Sequence, residues 1–240
     1  MTYVKTHSIL IVDDEPSIRE MLRMALESHG FRVDEANNVK IAQEKINIKQ
    51  PDLLLLDWMM PGTSGVELVR RLRKEDSTRS LPIIMLTAKT DDEHSIQALD
   101  TGADDYITKP FSPKALIARV NAMLRRINDN NNDFQTDEKI ISGDISIDMA
   151  SHKARVKDQI IELSPTEFRL LEFFSRNVGR VFSRNQLLRK VWGESVYVED
   201  RTVDVHIRRL RKNLESFNVE NYIQTVRGVG YRFDPVQDQN

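Results

Sequence analysis

The 240 residues predict two domains: an α/β unit on a doubly wound, five-stranded parallel sheet, then a smaller α+β unit. Three observations carry this. Short apolar runs alternate with helical patterns through the first half. A polar stretch over residues 128–139 (NDNNNDFQTDEK) then interrupts the chain. Beyond it, short β-like segments come before helices. On that text the first domain spans 1–127, a flexible linker 128–137 and the second domain 138–235.

Ser8-Ile9-Leu10-Ile11-Val12 is a short apolar strand. Residues 15–29 come next, with Ile18, Met21, Leu22, Ala25 and Leu26 at helical spacing and Gly30 closing the helix. Residues 32–36, 53–56, 83–86 and 105–108 supply four more strands, and helical patterns lie around 64–75, 90–101 and 112–126. Near-continuous apolar strands between helices mean a sheet covered on both faces, with its sites beyond the carboxyl ends of the strands. In the second half, short strands at 145–147, 154–156 and 160–163 precede a helix that Ser164 caps and Pro165 opens. Helical patterns at 183–191 and 201–214 and a hairpin over 222–233 complete it.

Composition sets limits. Hydrophobic residues make up 40% and charged residues 30%, a globular balance. No apolar run approaches a bilayer span, and the opening MTYVKTHSILIVDDEP lacks the pattern of a signal peptide, so a cytoplasmic protein is expected. There is no cysteine, hence no disulfide, thiol nucleophile or thiolate metal site. A net charge of −2 argues against a wholly basic nucleic-acid binder. Residues 176–212, however, hold ten Lys/Arg against four Asp/Glu, enough for a basic face.

Asp13 and Asp14 end the first strand and Asp57 the third, so three carboxylates should meet at one edge of the sheet. Each could merely cap the next helix. Packed like charges repel, however, and a hard divalent cation with oxygen ligands, Mg²⁺ above all, would neutralise them. Thr87 and Lys109 end strands four and five at the same edge. Aspartate, metal, hydroxyl and ammonium together suit a carboxylate that accepts a phosphoryl group. A phosphatase with an aspartate nucleophile would want a second Asp two residues on, where this chain has Met59.

On a helical wheel of residues 201–214, Val203, Ile207, Leu210 and Leu214 make a core stripe. Arg201, Val205, Arg208, Arg209 and Lys212 lie opposite, with Asp204 at the margin. A solvated surface face would look the same. The helix order before it, and the hairpin with Arg227 and Arg232 after it, favour a winged helix-turn-helix that sets a helix in the major groove of DNA.

Asp13-Asp14, Asp57-x-x-Met60-Pro61-x-x-x-Gly65, Thr87-Ala88 and Lys109-Pro110 resemble the receiver domain of two-component response regulators, a flavodoxin-like fold. The resemblance implies that Asp57 is phosphorylated by a sensor histidine kinase. It also implies that Asp14, Asp57 and the Met59 carbonyl bind Mg²⁺, with Asp13 acting through water. Thr87 and Lys109 would hold phosphoryl oxygens, Lys109-Pro110 would be cis, and Tyr106 would be an aromatic switch coupled to Thr87. Trp192-Gly193, residues 198–212 and residues 225–233 resemble the effector domain of the OmpR/PhoB family. Within that family Asp57-Trp58-Met59 and residues 108–113 and 196–200 fit the phosphate-starvation regulators.

The resemblance implies a transcription regulator, not an enzyme, that binds direct repeats of promoter DNA. DNA contact would come from Arg201, Thr202, Val205, His206, Arg208, Arg209, Arg211, Lys212, Thr225 and Arg227. Trp192, Gly193, Glu194, Val198 and Asp200 would touch the RNA polymerase sigma subunit. Phosphorylation would promote a homodimer through Asp105 with Arg119 and Asp104 with Arg126, while Ser95, Ala115 and Asn121 depart from the family's other interface pairs. The alternative is a receiver-type regulator acting mainly through protein–protein contacts.

Overall fold

In the computed structural model, which describes residues 6–87, 101–132, 139–193 and 201–235 (backbone alone at 125–132 and 201), five parallel strands form one sheet. They are β1 (Ser8–Val12), β2 (Arg32–Ala36), β3 (Leu53–Asp57), β4 (Ile83–Thr87) and β5 (Asp105–Thr108). Their order is β2-β1-β3-β4-β5, as a doubly wound sheet requires. β3 and β4 are buried at every position, whereas the edge strand β2 alternates between exposed and covered residues. That contrast explains the sequence text: four leucines suit the middle of the sheet, and RVDEA suits its rim.

Helix α1 (Pro16–Glu27) starts on Pro16 and buries Leu22 and Leu26. Helix α2 (Val39–Ile48) is an element that the sequence reading does not include; Asn38 caps it, accepting from the Ile41 N–H at 2.9 Å, and Val39, Ala42 and Ile46 face inward. Helix α3 (Gly65–Lys74) begins so close to β3 that a Cβ on Gly65 would stand 2.0 Å from the Asp57 carbonyl oxygen. Only glycine fits there. Helix α4 (Pro113–Asn132) runs past the point where composition placed a linker, taking up residues 128–132. Once nucleated on a packed stem, a helix adds one hydrogen bond per residue, which offsets the poor propensity of Asn and Asp. The helical pattern around 90–101 lies, but for Thr101, outside the described residues, as do Ala88, Ser95 and Asp100.

The chain parts into two units, Met1–Arg125 and Arg126–Asn240. The second opens with an antiparallel sheet of β6 (Lys139–Ser142), β7 (Ile145–Asp148), β8 (Lys153–Val156) and β9 (Gln159–Ile161). Helix α5 (Pro165–Ser175) comes next, closed at its start by a capping box between Ser164 and Glu167. Helix α6 (Arg184–Leu187) carries a second capping box from Ser183 to Gln186 and continues as a π-turn over Leu188–Trp192. Helix α7 (Arg201–Glu215) leads to the hairpin β11 (Ile223–Val226) and β12 (Gly230–Phe233), with β10 (Val181–Phe182) as a third strand. Phe174, Trp192, Leu210, Leu214 and Phe233 anchor one core shared by the helices and both sheets. No helix among the described residues is long and apolar enough to cross a membrane.

Candidate functional site

The parallel register decides what meets at the carboxyl edge. Val12 pairs with Leu56, Asp57 with Leu86, and Thr87 with Thr108, so Asp13, Asp57, Thr87 and Lys109 leave the sheet side by side. Lys109 Nζ reaches Asp13 Oδ2 and Asp57 Oδ1, each at 2.7 Å. Asp13 is fully buried and Asp57 nearly so. The second Asp57 oxygen accepts from the Met59 N–H at 3.0 Å, and Asp13 Oδ1 accepts from the Glu15 N–H at 2.9 Å. Thr87 is buried at the same edge, and its carbonyl accepts from the Lys109 N–H. The Lys109–Pro110 peptide is cis.

Charge is incompletely balanced here. Burial pushes the Asp57 carboxyl above the usual carboxylate range, against the lowering effect of the Lys109 ammonium. Burial works against the Lys109 charge too, but its bonds to Asp13 and Asp57 prevail and raise its pKa. Two buried carboxylates and one ammonium leave an excess negative charge amid hard oxygen donors. That donor set fits Mg²⁺. Asp14 is only half-covered, and among the described residues no three acids are gathered as a finished metal cage. Of the three carboxylates expected at this edge, Asp13 and Asp57 are joined by Lys109, and Asp14, half-covered, is the next residue along the chain from Asp13.

Tyr106 is buried, with its N–H bonded to Asp105 Oδ1. Arg119 Nη1 bonds both oxygens of Asp105 at 2.8 and 3.0 Å within the same chain. Asp104 corrects an expectation. It is wholly buried and held by Arg73 at 2.8 Å, so it offers no surface charge to a partner. The side chain of Arg126 lies outside the described residues, and Ala115 and Asn121 are exposed.

The basic helix α7 also departs from its wheel. Arg208 and Lys212 are exposed, as are Thr225 and Arg227 on the hairpin. Thr202, Val205 and His206 are buried instead. A wheel assumes one buried stripe, but this helix packs against α5, α6 and the turn at Glu220–Tyr222, so more of its circumference is covered. Arg209 forms an ion pair with the buried Glu167 at 2.7 Å, and Glu167 also accepts from Asn213 Nδ2 and the Ser164 N–H. Arg211 donates to the Ile223 carbonyl at 2.7 and 3.0 Å and to Thr225 Oγ1 at 2.9 Å. These two cations hold the unit together. Tyr231 donates to Asp204 at 2.6 Å and lies beneath Arg184; burial, first of all, and that bond push its hydroxyl pKa up to about 12. Trp192 is buried against His206, Gly193 ends the π-turn, and Glu194, Val198, Asp200 and the Arg201 side chain lie outside the described residues.

This division of labour is testable. Arg208→Ala should weaken DNA binding and lower the slope of log affinity against log salt by about 1, one phosphate contact's worth. Arg209→Ala should leave that slope near wild type but destabilise the second unit by about 3 kcal/mol, because Glu167 is left buried without its charge partner. Salt-dependent fluorescence anisotropy and thermal unfolding separate the two.

The comparisons with known proteins give each unit a counterpart. Residues 9–121 match the response regulator receiver domain, and residues 158–233 match the C-terminal domain of transcriptional regulatory proteins. The pairing defines a DNA-binding transcription regulator governed through a receiver, a class distinct from enzymes. Over 94% of its length the chain is 51% identical to the phosphate regulon transcriptional regulatory protein PhoB of Escherichia coli (strain K12), covering 96% of that protein. It is 53% identical to the protein of the same name from Pseudomonas aeruginosa, again over 94% and 96% of the two chains. A solved structure of a RitR mutant aligns with a TM-score of 0.75 at 27% identity, covering 95% of this chain and 99% of that one. The chain belongs to the OmpR/PhoB family of response regulators.

Proposed function

We propose that Asp57 is the phosphoacceptor and that its phosphorylation by a sensor histidine kinase controls promoter binding. The observation that carries this is Lys109 Nζ at 2.7 Å from both Asp13 and Asp57 beside Thr87. In the transfer, an Asp57 oxygen attacks phosphorus in line; the P–N bond to the kinase histidine breaks and its electron pair stays on the imidazole. The Asp57–Lys109 bond leaves the ammonium in place for a phosphoryl oxygen, and the Thr87 hydroxyl is a second donor. Asp14, Asp57 and the Met59 carbonyl would hold Mg²⁺, with Asp13 through water, and the ion supplies charge neutralisation of the transferring oxygens. Tyr106 follows Thr87.

The output is a dimer of receiver units that places two DNA-binding units on direct repeats, a gain in effective concentration. Asp105 is buried and bonded to Arg119 of its own chain, and Asp104 is held by Arg73, so of these residues Arg119 alone is partly open to a partner receiver. Arg208, Lys212, Arg227 and Thr225 meet DNA. Gly193, Glu194, Val198 and Asp200 are the residues proposed for the sigma subunit, whereas Trp192 is buried in the core and offers it no surface. The names of the relatives support phosphate-regulon genes as targets, and binding to promoter DNA would place the protein in the cytoplasm.

The test uses acetyl phosphate with MgCl₂ on the full chain. The expected result is one acyl phosphate, mapped to Asp57 by borohydride reduction, together with tighter binding to direct-repeat DNA and a dimer in sedimentation. Phosphorylation at another residue, or uptake at Asp57 without a change in DNA affinity, would refute the reading.

A further inference from the structure

Arg19 belongs to none of the roles described so far. It sits in the first turns of α1, mostly buried at 15% exposure, and its Nη1 donates to the carbonyl oxygens of Asp13 at 2.7 Å and Asp14 at 3.0 Å. Its Nε faces Glu35 on β2 at 3.3 Å, and Glu35 also takes Arg23 at 3.0 Å. The segment so gripped is the three-residue link Asp13-Asp14-Glu15 between β1 and Pro16. Its other described ties are the Asp13 N–H to the Ala36 carbonyl, the Glu15 N–H to Asp13 Oδ1, the Arg19 N–H to the Glu15 carbonyl, and Lys109 Nζ to Asp13 Oδ2.

We infer that Arg19, oriented by Glu35, is a positioning residue of the phosphoacceptor site that fixes the Asp13–Asp14 backbone so that their carboxylates are held for a divalent cation. The inference rests on the reading of Asp57 as phosphoacceptor. The choice of acceptors supports it. A guanidinium placed to neutralise the acids would bond their carboxylates, whereas this one bonds two consecutive carbonyls. Pulling both carbonyl oxygens toward α1 commits them, so the link presents carboxylates to the site and not carbonyls. Lys109 supplies charge to the acids; Arg19 sets the backbone from which they project. Groups that orient metal ligands typically matter about 10–100-fold in metal affinity.

Coulomb's law makes the sign decisive. Deleting a cation beside an acidic site should by itself strengthen Mg²⁺ binding. Loss of positioning should weaken it. The experiment titrates the full chain with MgCl₂ and follows Trp58, next to Asp57 and partly exposed, by fluorescence. Asp57→Asn serves as the signal control and thermal unfolding runs alongside. Arg19→Met is expected to raise the Mg²⁺ dissociation constant about tenfold or more with little change in the unfolding midpoint. Arg19→Lys keeps the charge but cannot span both carbonyls, and is expected to fall between Arg19→Met and wild type. Unchanged or tighter Mg²⁺ binding in Arg19→Met would overturn the inference. Should that variant not fold, Arg19→Lys decides alone, and a dissociation constant equal to wild type overturns it. A wild-type chain with neither a fluorescence nor a thermal response to MgCl₂ would instead sink the Asp57 reading on which the inference stands.

Discussion

Arg73→Ala is expected to destabilise the first unit by about 3–5 kcal/mol, a fall of roughly 10–20 °C in its unfolding midpoint. Asp104 has no exposed surface, and the guanidinium of Arg73 lies 2.8 Å from its Oδ2. The same guanidinium donates to the carbonyls of Gly102 at 2.8 Å, Arg79 at 2.9 Å and Leu81 at 2.8 Å. Asp104 Oδ2 in turn accepts from the Ile83 N–H at the start of β4. Truncation therefore takes from a buried carboxylate the guanidinium 2.8 Å away, and from three carbonyls the hydrogen bonds that Arg73 donates. Either loss alone would cost over about 1 kcal/mol. Adding Asp104→Asn should recover a large part of the deficit, since the unpaired charge goes with it. Differential scanning calorimetry of both variants checks this; a single variant within about 1 kcal/mol of wild type would show the cluster to be dispensable.

The consequence reaches function through β4. Arg73 and Asp104 fix the beginning of the strand whose far end carries Thr87. A five-residue strand buried along its length is a stiff connection, so disorder at Ile83 displaces Thr87 relative to Asp57. Phosphoryl uptake by Arg73→Ala, measured well below its midpoint, should accordingly be slower than wild type.

Much of this was legible in the residues because four of the five strands, β1, β3, β4 and β5, run into a group that cannot stay buried alone. Asp13, Asp57, Thr87 and Lys109 announce an edge site by interrupting apolar runs, and the parallel register does the rest. The Ser164–Pro165–Glu167 start of α5 is equally local, since a capping box is written within four residues. Long-range polar partners are another matter. Arg19, Arg73, Arg209 and Arg211 each sit at a position that periodicity assigns to a helix surface. What makes them structural lies 12 or more residues away for Arg211 and Ile223, and 42 for Arg209 and Glu167, where no pattern points. Helix α2 escapes notice for a milder reason. Val39, Ala42 and Ile46 have helical spacing, but Ile41 and the exposed Ile48 lie off their stripe and blur it. Val205 shows the opposite error, an apolar residue placed on the outer face by a wheel that allowed for one packing partner only.

Lys109→Met is expected to make stability of the first unit depend strongly on both pH and Mg²⁺. The ammonium is the one described cation bonded to both Asp13 and Asp57, which are 0% and 6% exposed. Without it two buried carboxylates face each other, and removal of a charge partner from such a site costs several kcal/mol, roughly 3–5. The sign of the pH effect follows from Asp57. Burial already holds its folded-state pKa above the unfolded 3.8, and deleting Lys109 removes influences that lower it, so the pKa rises further. An acid with a raised folded pKa keeps its stability contribution below the unfolded pKa and loses it as pH climbs through the folded one. The variant should therefore unfold at a higher temperature at pH 5 than at pH 7, with a larger difference than wild type shows. Mg²⁺ should offset part of the loss at pH 7. Binding to the folded state alone contributes about 2.7 kcal/mol when the ion is at a hundred times its dissociation constant. The excess negative charge left by the substitution favours that binding, while the missing donor to the phosphoryl group impairs phosphoryl uptake. A variant that gains thermal stability from MgCl₂ but takes up phosphate poorly would separate the two tasks of Lys109. Equal midpoints at pH 5 and 7, with no response to MgCl₂, would mean that Asp13 and Asp57 are not electrostatically coupled through it.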